Sequence, residues 1–237
     1  MTPRESFVPT RWSVIRTAGG EGAEARSALE SLCEDYWFPV YGFLRQRGTR
    51  HEGALDWTQD FFATLIERHD IARADPERGR FRTYLLACLK HHVAGLLDRE
   101  RAEKRGGGRI VSLDGEEARR RFEAEGREEA PERAFDRAWT RCLLQQVIEK
   151  LALEWQVDDK GELFVRLKSV VLLDREASLP YAELALELDT TEGALKSHAH
   201  RLRTRYRELL RLEVAQTVAG AAELEEELLA LFRSVEG

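Results

Sequence analysis

Apolar residues along most of the chain recur at intervals of three and four, the spacing of one face of an α-helix. Leu29, Cys33, Tyr36, Val40, Phe43 and Leu44 follow it, as do Trp57, Phe61 and Leu65 with flanking Phe62 and Ile66. A third run sets Leu85, Cys88, Leu89, His92 and Leu96 on one face and continues into the charged stretch DRERAEKRGGGR. Gly106, Gly107 and Gly108 end it, because each glycine costs a helix about 1 kcal/mol relative to alanine. The pattern restarts at Trp139, Cys142, Leu143, Val147, Ile148 and Leu151, and again at Leu163, Phe164, Leu167, Val170 and Val171. No segment reads as a strand and no internal repeat is visible, so the expected fold class is all-α.

Residues 106–134 carry glycines, mixed charges and few large apolar groups, a composition that cannot bury enough surface to offset the entropy of ordering. They read as a flexible linker, with a transient helix around Glu116–Glu125. The expected organisation is therefore two helical domains, 10–105 and 135–212, joined by that tether and followed by an acidic helical extension at 213–237.

Composition narrows the function. Of 237 residues, 43% are hydrophobic and 34% charged, while 6 prolines and 17 glycines are too few for a turn-rich β fold. No apolar run is long enough to span a bilayer, and the opening MTPRESFVPTRW has no apolar leader core, so a cytoplasmic protein is expected. Cys33, Cys88 and Cys142 lie too far apart for a zinc knuckle and read as buried thiols in a reducing compartment. The net charge of −6 argues against a simple nucleic-acid binder, yet the charge is segregated. Lys196, Arg201, Arg203, Arg205, Arg207 and Arg211 face a single acid, Glu208, in their segment. The stretches Glu52–Asp70 and Glu213–Gly237 are dominated by acids. The tail acids Glu223–Glu227 read as a solvated helix face, with screening of non-specific phosphate contacts as the alternative.

The basic segment carries the chemistry. A short helix starts at Pro180, where the missing N–H is no loss, and presents Tyr181, Leu184, Ala185 and Leu188. Asp189, Thr190 and Thr191 interrupt it, and Asp189 with Glu192 has the spacing of a capping box. The next helix places Leu195, Ala199, Leu202, Tyr206 and Leu209 on one face and Lys196, His200, Arg203, Arg207 and Arg211 on the adjoining one. Two helices joined by a tight turn, the second basic, have the layout of a helix-turn-helix. Glu192, Lys196, Ser197 and His200 are then candidates for base edges, and Arg201, Arg203 and Arg205 for phosphates. A solvated amphipathic helix within a bundle is the competing reading.

LPYAELALELDTTEGALKSHAHRLRTRYRELL resembles region 4 of extracytoplasmic-function (ECF) RNA polymerase sigma factors, whose pattern is YxEIAxxLxxSEGxVKxxxHRxR. Tyr181, Glu183, Leu184, Ala185, Leu188, Glu192, Gly193, Ala194, Lys196, His200, Arg201 and Arg203 stand in it. The resemblance implies −35 recognition by Thr191, Glu192, Lys196, Ser197, His200, Arg201 and Arg203. It extends over about residues 10–215. SLCEDYWFPVYGFLRQRG is similar to the first helix of region 2 and DWTQDFFATLIERH to the helix that grips the β′ coiled coil. RGRFRTYLLACLKHHVAGLLDRERAEKRGGG is similar to the helix that captures and melts the −10 element. Core polymerase binding through Asp56, Gln59, Asp60 and Phe61, and −10 binding through Arg80, Phe81, Arg82, Tyr84, Lys90, His91 and Arg99, are implied. The implied partners are core RNA polymerase, through its β′ coiled coil and β flap, and promoter DNA. No cofactor and no catalytic residue are implied.

Read without the resemblance, Arg73, Arg78, Arg80 and Arg82 beside Phe81 and Tyr84 form a segment able to follow a strand and stack an extruded base. The other reading makes Phe81 and Tyr84 core residues that seat the loop. Lys90, His91, His92, Arg99, Arg101, Lys104 and Arg105 form a basic track or a solvated face. His91 and His92 are adjacent, about 100° apart on a helix, and make no metal site.

The chain also departs from the family pattern. Gly53, Ala54, Leu55 and Asp56 stand where members carry an Asp-Ala-Glu-Asp run, so two carboxylates are missing. Thr58, between Asp56 and Asp60, is a candidate phosphorylation site for a Ser/Thr kinase, since a phosphate would restore the lost charge. Capping or a solvent-facing role is the alternative. Gly95 and Asp98 stand where an Asp and an Arg are usual. Control by an anti-sigma factor, a kinase or the tail stays open. The rival functions are a stand-alone helix-turn-helix regulator, an adaptor protein that would leave the arginines at 201–211 unused, and an enzyme. The last lacks any Walker, GxSxG or HExxH motif.

Overall fold

The computed structural model describes residues 12–103, 120, 122, 129–158, 160–168, 181–218 and 221–236, and of residues 99–103, 221–222 and 235–236 the backbone only. Every regular element among them is helical: α1 (Trp12–Ala18), α2 (Ala23–Gln46), α3 (His51–Glu67), α4 (Phe81–Glu103), α5 (Pro131–Val157), α6 (Gly161–Lys168), α7 (Tyr181–Glu187), α8 (Glu192–Ala215) and α9 (Ala221–Glu236). Two short 3-10 turns, Asp70–Arg73 and Pro76–Arg78, connect α3 to α4. The all-α expectation therefore holds for the described residues, none of whose helices is long and apolar enough to cross a membrane.

The chain forms two compact units, 7–143 with 214–237 and 144–213. These boundaries differ from the expected ones at 105/106, 134/135 and 212/213. Helix α5 starts at Pro131, inside the expected tether, and its first turns join the N-terminal unit. Glu129, also in the expected tether, accepts a 2.9 Å hydrogen bond from Nε of the buried Arg137. Of 106–134 only Arg120, Phe122 and 129–134 are described; Arg120 and Phe122, from the expected helix at Glu116–Glu125, are helical, and Phe122 meets Tyr41 edge-on at 6.2 Å.

In the N-terminal unit, α1, α2, α4 and the start of α5 share an aromatic core. Tyr36 meets Phe81 edge-on at 5.6 Å and stacks on Phe135 at 6.2 Å, while Trp12 meets Phe81 edge-on at 6.4 Å. Such pairs add about 0.5–1.5 kcal/mol each beyond burial. The apolar stripes read from the sequence supply this core: Tyr36, Val40, Phe43 and Leu44 of α2, Phe61 and Leu65 of α3, and Leu85 and Leu89 of α4 are buried. Close approach fixes Gly19 where α1 ends. A Cβ there would lie 2.9 Å from Ala72 Cα, a backbone atom that cannot swing aside. Gly19→Ala is expected to destabilise the unit by about 1–3 kcal/mol, read from a denaturant titration.

Asp35 sits in this core with 6% of its surface exposed. Burial, with Glu34 nearby, pushes its carboxyl up to about 8. The unfolded chain releases that proton near pH 4, so between about pH 4 and 8 the native state holds more protons and stability falls as pH rises. Asp35→Asn is expected to raise the melting temperature at pH 8 by at least about 2–4 °C and to leave it nearly unchanged at pH 4. A gain of equal size at both pH values would contradict the ionisation argument.

The second unit contains most of α5, α6, α7 and α8. Val147, Ile148 and Leu151 of α5, Phe164 and Leu167 of α6, Leu184 and Ala185 of α7, and Leu195, Ala199 and Leu202 of α8 are buried. Val170, Val171 and Pro180 lie outside the described residues. The three cysteines are disulfide-free and half-buried, rather than fully buried thiols. Burial and the acids Glu34 and Glu30 push Cys33 up to about 11, which keeps it an unreactive thiol at neutral pH.

Candidate nucleic-acid interface

Helix α7 ends in a left-handed residue, Asp189 (φ 46°). Thr190 N–H reaches back to Ala185 O at 3.0 Å and closes the six-to-one bond of a Schellman turn. Helix α8 then starts at Glu192, capped by Thr191, whose Oγ1 accepts from Ala194 N–H at 3.2 Å. The expected capping box of Asp189 and Glu192 is thus replaced by a Thr191 cap. Asp189, already committed to the left-handed turn, is too early in the chain to cap α8. Between these ends only Leu188 to Thr191 separate the two helices, which makes the turn as tight as the sequence suggested.

The surface of α8 divides sharply. Leu195, Ala199 and Leu202 are buried, whereas Glu192, Lys196, Ser197, His200, Arg201 and Arg203 are exposed, as is Thr191 at the cap. The bonds on this face are local and exposed. Lys196 Nζ pairs with Glu192 at 2.6 Å, Ser197 Oγ donates to Gly193 O at 3.0 Å, and Arg201 donates to His198 Nδ1 at 3.1 Å. Exposed pairs of this kind are worth at most about 1 kcal/mol, so a ligand can take over their donors cheaply. His198 is held below its ordinary value by burial, then by Arg201 and Lys160, so it stays a neutral acceptor at pH 7.

Arg205 differs from its neighbours and from the sequence reading. Its Nε and Nη2 donate to both carboxylate oxygens of Glu154 at 2.8 and 2.7 Å, and Nη1 reaches Glu208 at 3.0 Å. The hydrogen bond from Arg205 holds Glu154 below the usual carboxylate range. Arg205 therefore clamps α8 to α5, with three of its five N–H donors committed to carboxylates. No local pattern marks this pair, because Glu154 lies 51 residues away.

The N-terminal unit redistributes the residues expected to touch an unpaired strand. Phe81, 2% exposed, belongs to the aromatic core, so no base can stack on it. Tyr84 is half-buried and donates its hydroxyl to Asp70 O at 2.6 Å; burial, with a hydrogen bond to Cys88, raises its phenol further. Arg82 is 8% exposed, with its guanidinium carbon 4.7 Å from the Trp139 ring centroid. Arg80 and Arg82 both bind the Glu227 carboxylate, at 2.6 Å for Arg80 Nη1 and 3.1 Å for Arg82 Nη2. The reason for the correction is positional: Arg82, Leu85 and Leu89 share one stripe of α4, so Arg82 points inward with the leucines. Lys90 and His91 stay exposed, Lys90 pairing with Glu132 at 2.8 Å. Arg99, Arg101, Lys104 and Arg105 lie outside the residues whose side chains are described.

On α3, Asp60 is exposed and Asp56 and Gln59 are half-exposed, so all three present polar atoms at the surface. Phe61 is buried at 2% exposure and packs edge-on against His92, which removes it from any surface contact. His92 Nε2 lies 3.2 Å from Asp60. Thr58 is fully buried, its hydroxyl donating to Ala54 O at 2.6 Å. A kinase could reach that oxygen only after α3 had opened, and burial would strip a phosphate there of its water. The placement thus counts against Thr58 as a modification site. The tail acids are corrected as well: Glu225 and Glu226 are solvated, but Glu227 is not. No protein-family model matches the chain, and neither a curated protein nor a solved structure shows significant similarity to it.

Proposed function

We propose that this protein is a dissociable transcription-initiation factor of the ECF sigma type, which lends promoter specificity to RNA polymerase and carries no catalytic residue of its own. The observation that carries the reading is the face of α8. The residues that match the region 4 pattern at Lys196, His200, Arg201 and Arg203 are exposed, while those that match its apolar positions at Leu184, Ala185 and Leu195 are buried. In this reading the first turns of α8 enter the major groove of the −35 duplex. Lys196, Ser197 and His200 read base edges there, and Arg201 and Arg203 hold phosphates. Thr191 at the cap adds a backbone end with a positive dipole beside the phosphates.

The N-terminal unit would use Asp56, Gln59 and Asp60 on α3 to hold the β′ coiled coil. Lys90 and His91 on α4 would lie along the separated −10 strand. Opening the duplex costs about 1.4 kcal/mol of stacking per base step, which −35 contacts and the polymerase channel must offset. The net charge of −6 fits a factor that binds DNA poorly until a basic partner surface joins it.

The test is co-purification with core polymerase followed by run-off transcription from a promoter with a pre-melted −10 region. Retention on polymerase with promoter-dependent transcripts is expected. Tight operator binding by the isolated protein, with no retention on polymerase, would instead identify a stand-alone helix-turn-helix regulator.

A further inference from the structure

Helix α9 carries its acids unevenly. Glu227 is 1% exposed, and its neighbours Leu228 and Leu231 are buried with it in the N-terminal unit. Its two carboxylate oxygens receive Arg80 and Arg82 from the start of α4. Arg82 also lies 3.3 Å from Asp136, whose carboxyl burial raises despite the two arginines. A hydrogen bond of 2.8 Å between Thr140 and Ser234 fastens the far end of α9. The space left among Tyr36, Phe81, Trp139 and Thr217 is only about 10 Å³.

Two guanidinium forks that converge on one carboxylate form an anion site, and a phosphodiester oxygen pair has the same donor requirement. Glu227 alone would be a costly buried charge, as would Arg82 without an anion. Glu227 therefore needs the two arginines, and when it leaves, Arg80 loses its carboxylate and Arg82 keeps only Asp136. We infer that α9 is a built-in plug: Glu227 occupies an Arg80–Arg82 anion site that can otherwise hold a nucleic-acid phosphate, so docked helix and bound strand exclude one another. The inference rests on the proposed function for what the site holds when open. It differs from that reading in assigning the tail a regulatory role. A closed state favoured 100 to 1 lowers the apparent affinity for the competing strand by the same factor of about 100.

The test uses the full-length protein and a fluorescein-labelled single-stranded DNA of about 20 nucleotides, with affinity read by anisotropy. Glu227→Gln is expected to bind at least about 10-fold more tightly than the unaltered protein. Adding Arg80→Ala and Arg82→Ala to it should erase that gain. Because Glu227→Gln removes the anion that Arg80 and Arg82 share and leaves Arg82 only Asp136 at 3.3 Å, a second variant keeps every charge in place. The pair Thr140→Cys and Ser234→Cys, oxidised, pins α9 down and is expected to weaken binding, with recovery on reduction. Equal affinity of Glu227→Gln and the unaltered protein, both shown folded by thermal melts, would overturn the plug. So would a crosslinked protein that binds as well as its reduced form. Retention on core polymerase, scored separately, tells this failure apart from failure of the initiation-factor reading.

Discussion

Replacing Lys196, Arg201 and Arg203 together by alanine is expected to leave the second unit folded and to abolish transcription from promoters that depend on a −35 element. All three side chains are exposed: Lys196 and Arg201 bond only within their own turn, and Arg203 reaches Tyr181 of α7 through a long, exposed 3.5 Å contact. Their removal therefore costs the fold little. In the groove the same groups are worth far more. A side chain that reads a base contributes about 1–3 kcal/mol, and each phosphate contact changes the salt dependence by about one unit of slope. The combined loss of affinity for the duplex is about 100-fold or more, with a shallower dependence on salt. Retention on core polymerase should survive, since the expected contact there lies on α3. Arg205→Ala provides the contrast: it removes the clamp to Glu154, so melting temperature should fall while the salt slope of DNA binding stays put. If Arg205→Ala lowered that slope as strongly as Arg203→Ala, the division of α8 into reading and clamping residues would be wrong.

Phe81→Ala is expected to unfold, or nearly unfold, the N-terminal unit. The ring is the hub of the aromatic core, in contact with Trp12, Tyr36 and Tyr84. Loss of a buried Phe costs about 3–5 kcal/mol through lost transfer energy and the cavity left behind. That is a large part of the about 5–15 kcal/mol by which domains are stable. A base-stacking residue would behave in the opposite way: normal stability and weakened strand binding. Chemical denaturation of Phe81→Ala, monitored by tryptophan fluorescence, separates the two. Unchanged stability would return Phe81 to the strand-binding surface.

Much of this molecule is legible from local pattern. Helical residues that share a face are three or four positions apart, so Tyr36, Val40 and Phe43, or Leu195, Ala199 and Leu202, mark their own buried sides. The turn between α7 and α8 is equally local, since its three polar residues end one helix and start the next. Only the identity of the capping residue changed, from Asp189 to Thr191. Charge did not carry the same information. Arg80 and Arg82 look like Arg201 and Arg203 on paper, four cations in basic, aromatic-flanked segments. One hint separates them: Arg82 falls on the stripe of Leu85 and Leu89, as Glu227 falls on that of Leu224, Leu228 and Leu231. An ion on an apolar stripe must find a buried partner, because burying it alone is prohibitive.

By itself, the sequence determined the helical fold class, the apolar faces and the basic face of α8, because these follow from steric periods repeated within a few residues. Tertiary structure alone decided which partner each buried or clamped cation meets, and where the chain divides into units. Arg82 meets Glu227 across 145 residues of chain, and Arg205 meets Glu154 across 51. Coulomb attraction between opposite charges has no sequence period, so no local pattern encodes such pairs. They become defined only when packing has brought the helices together.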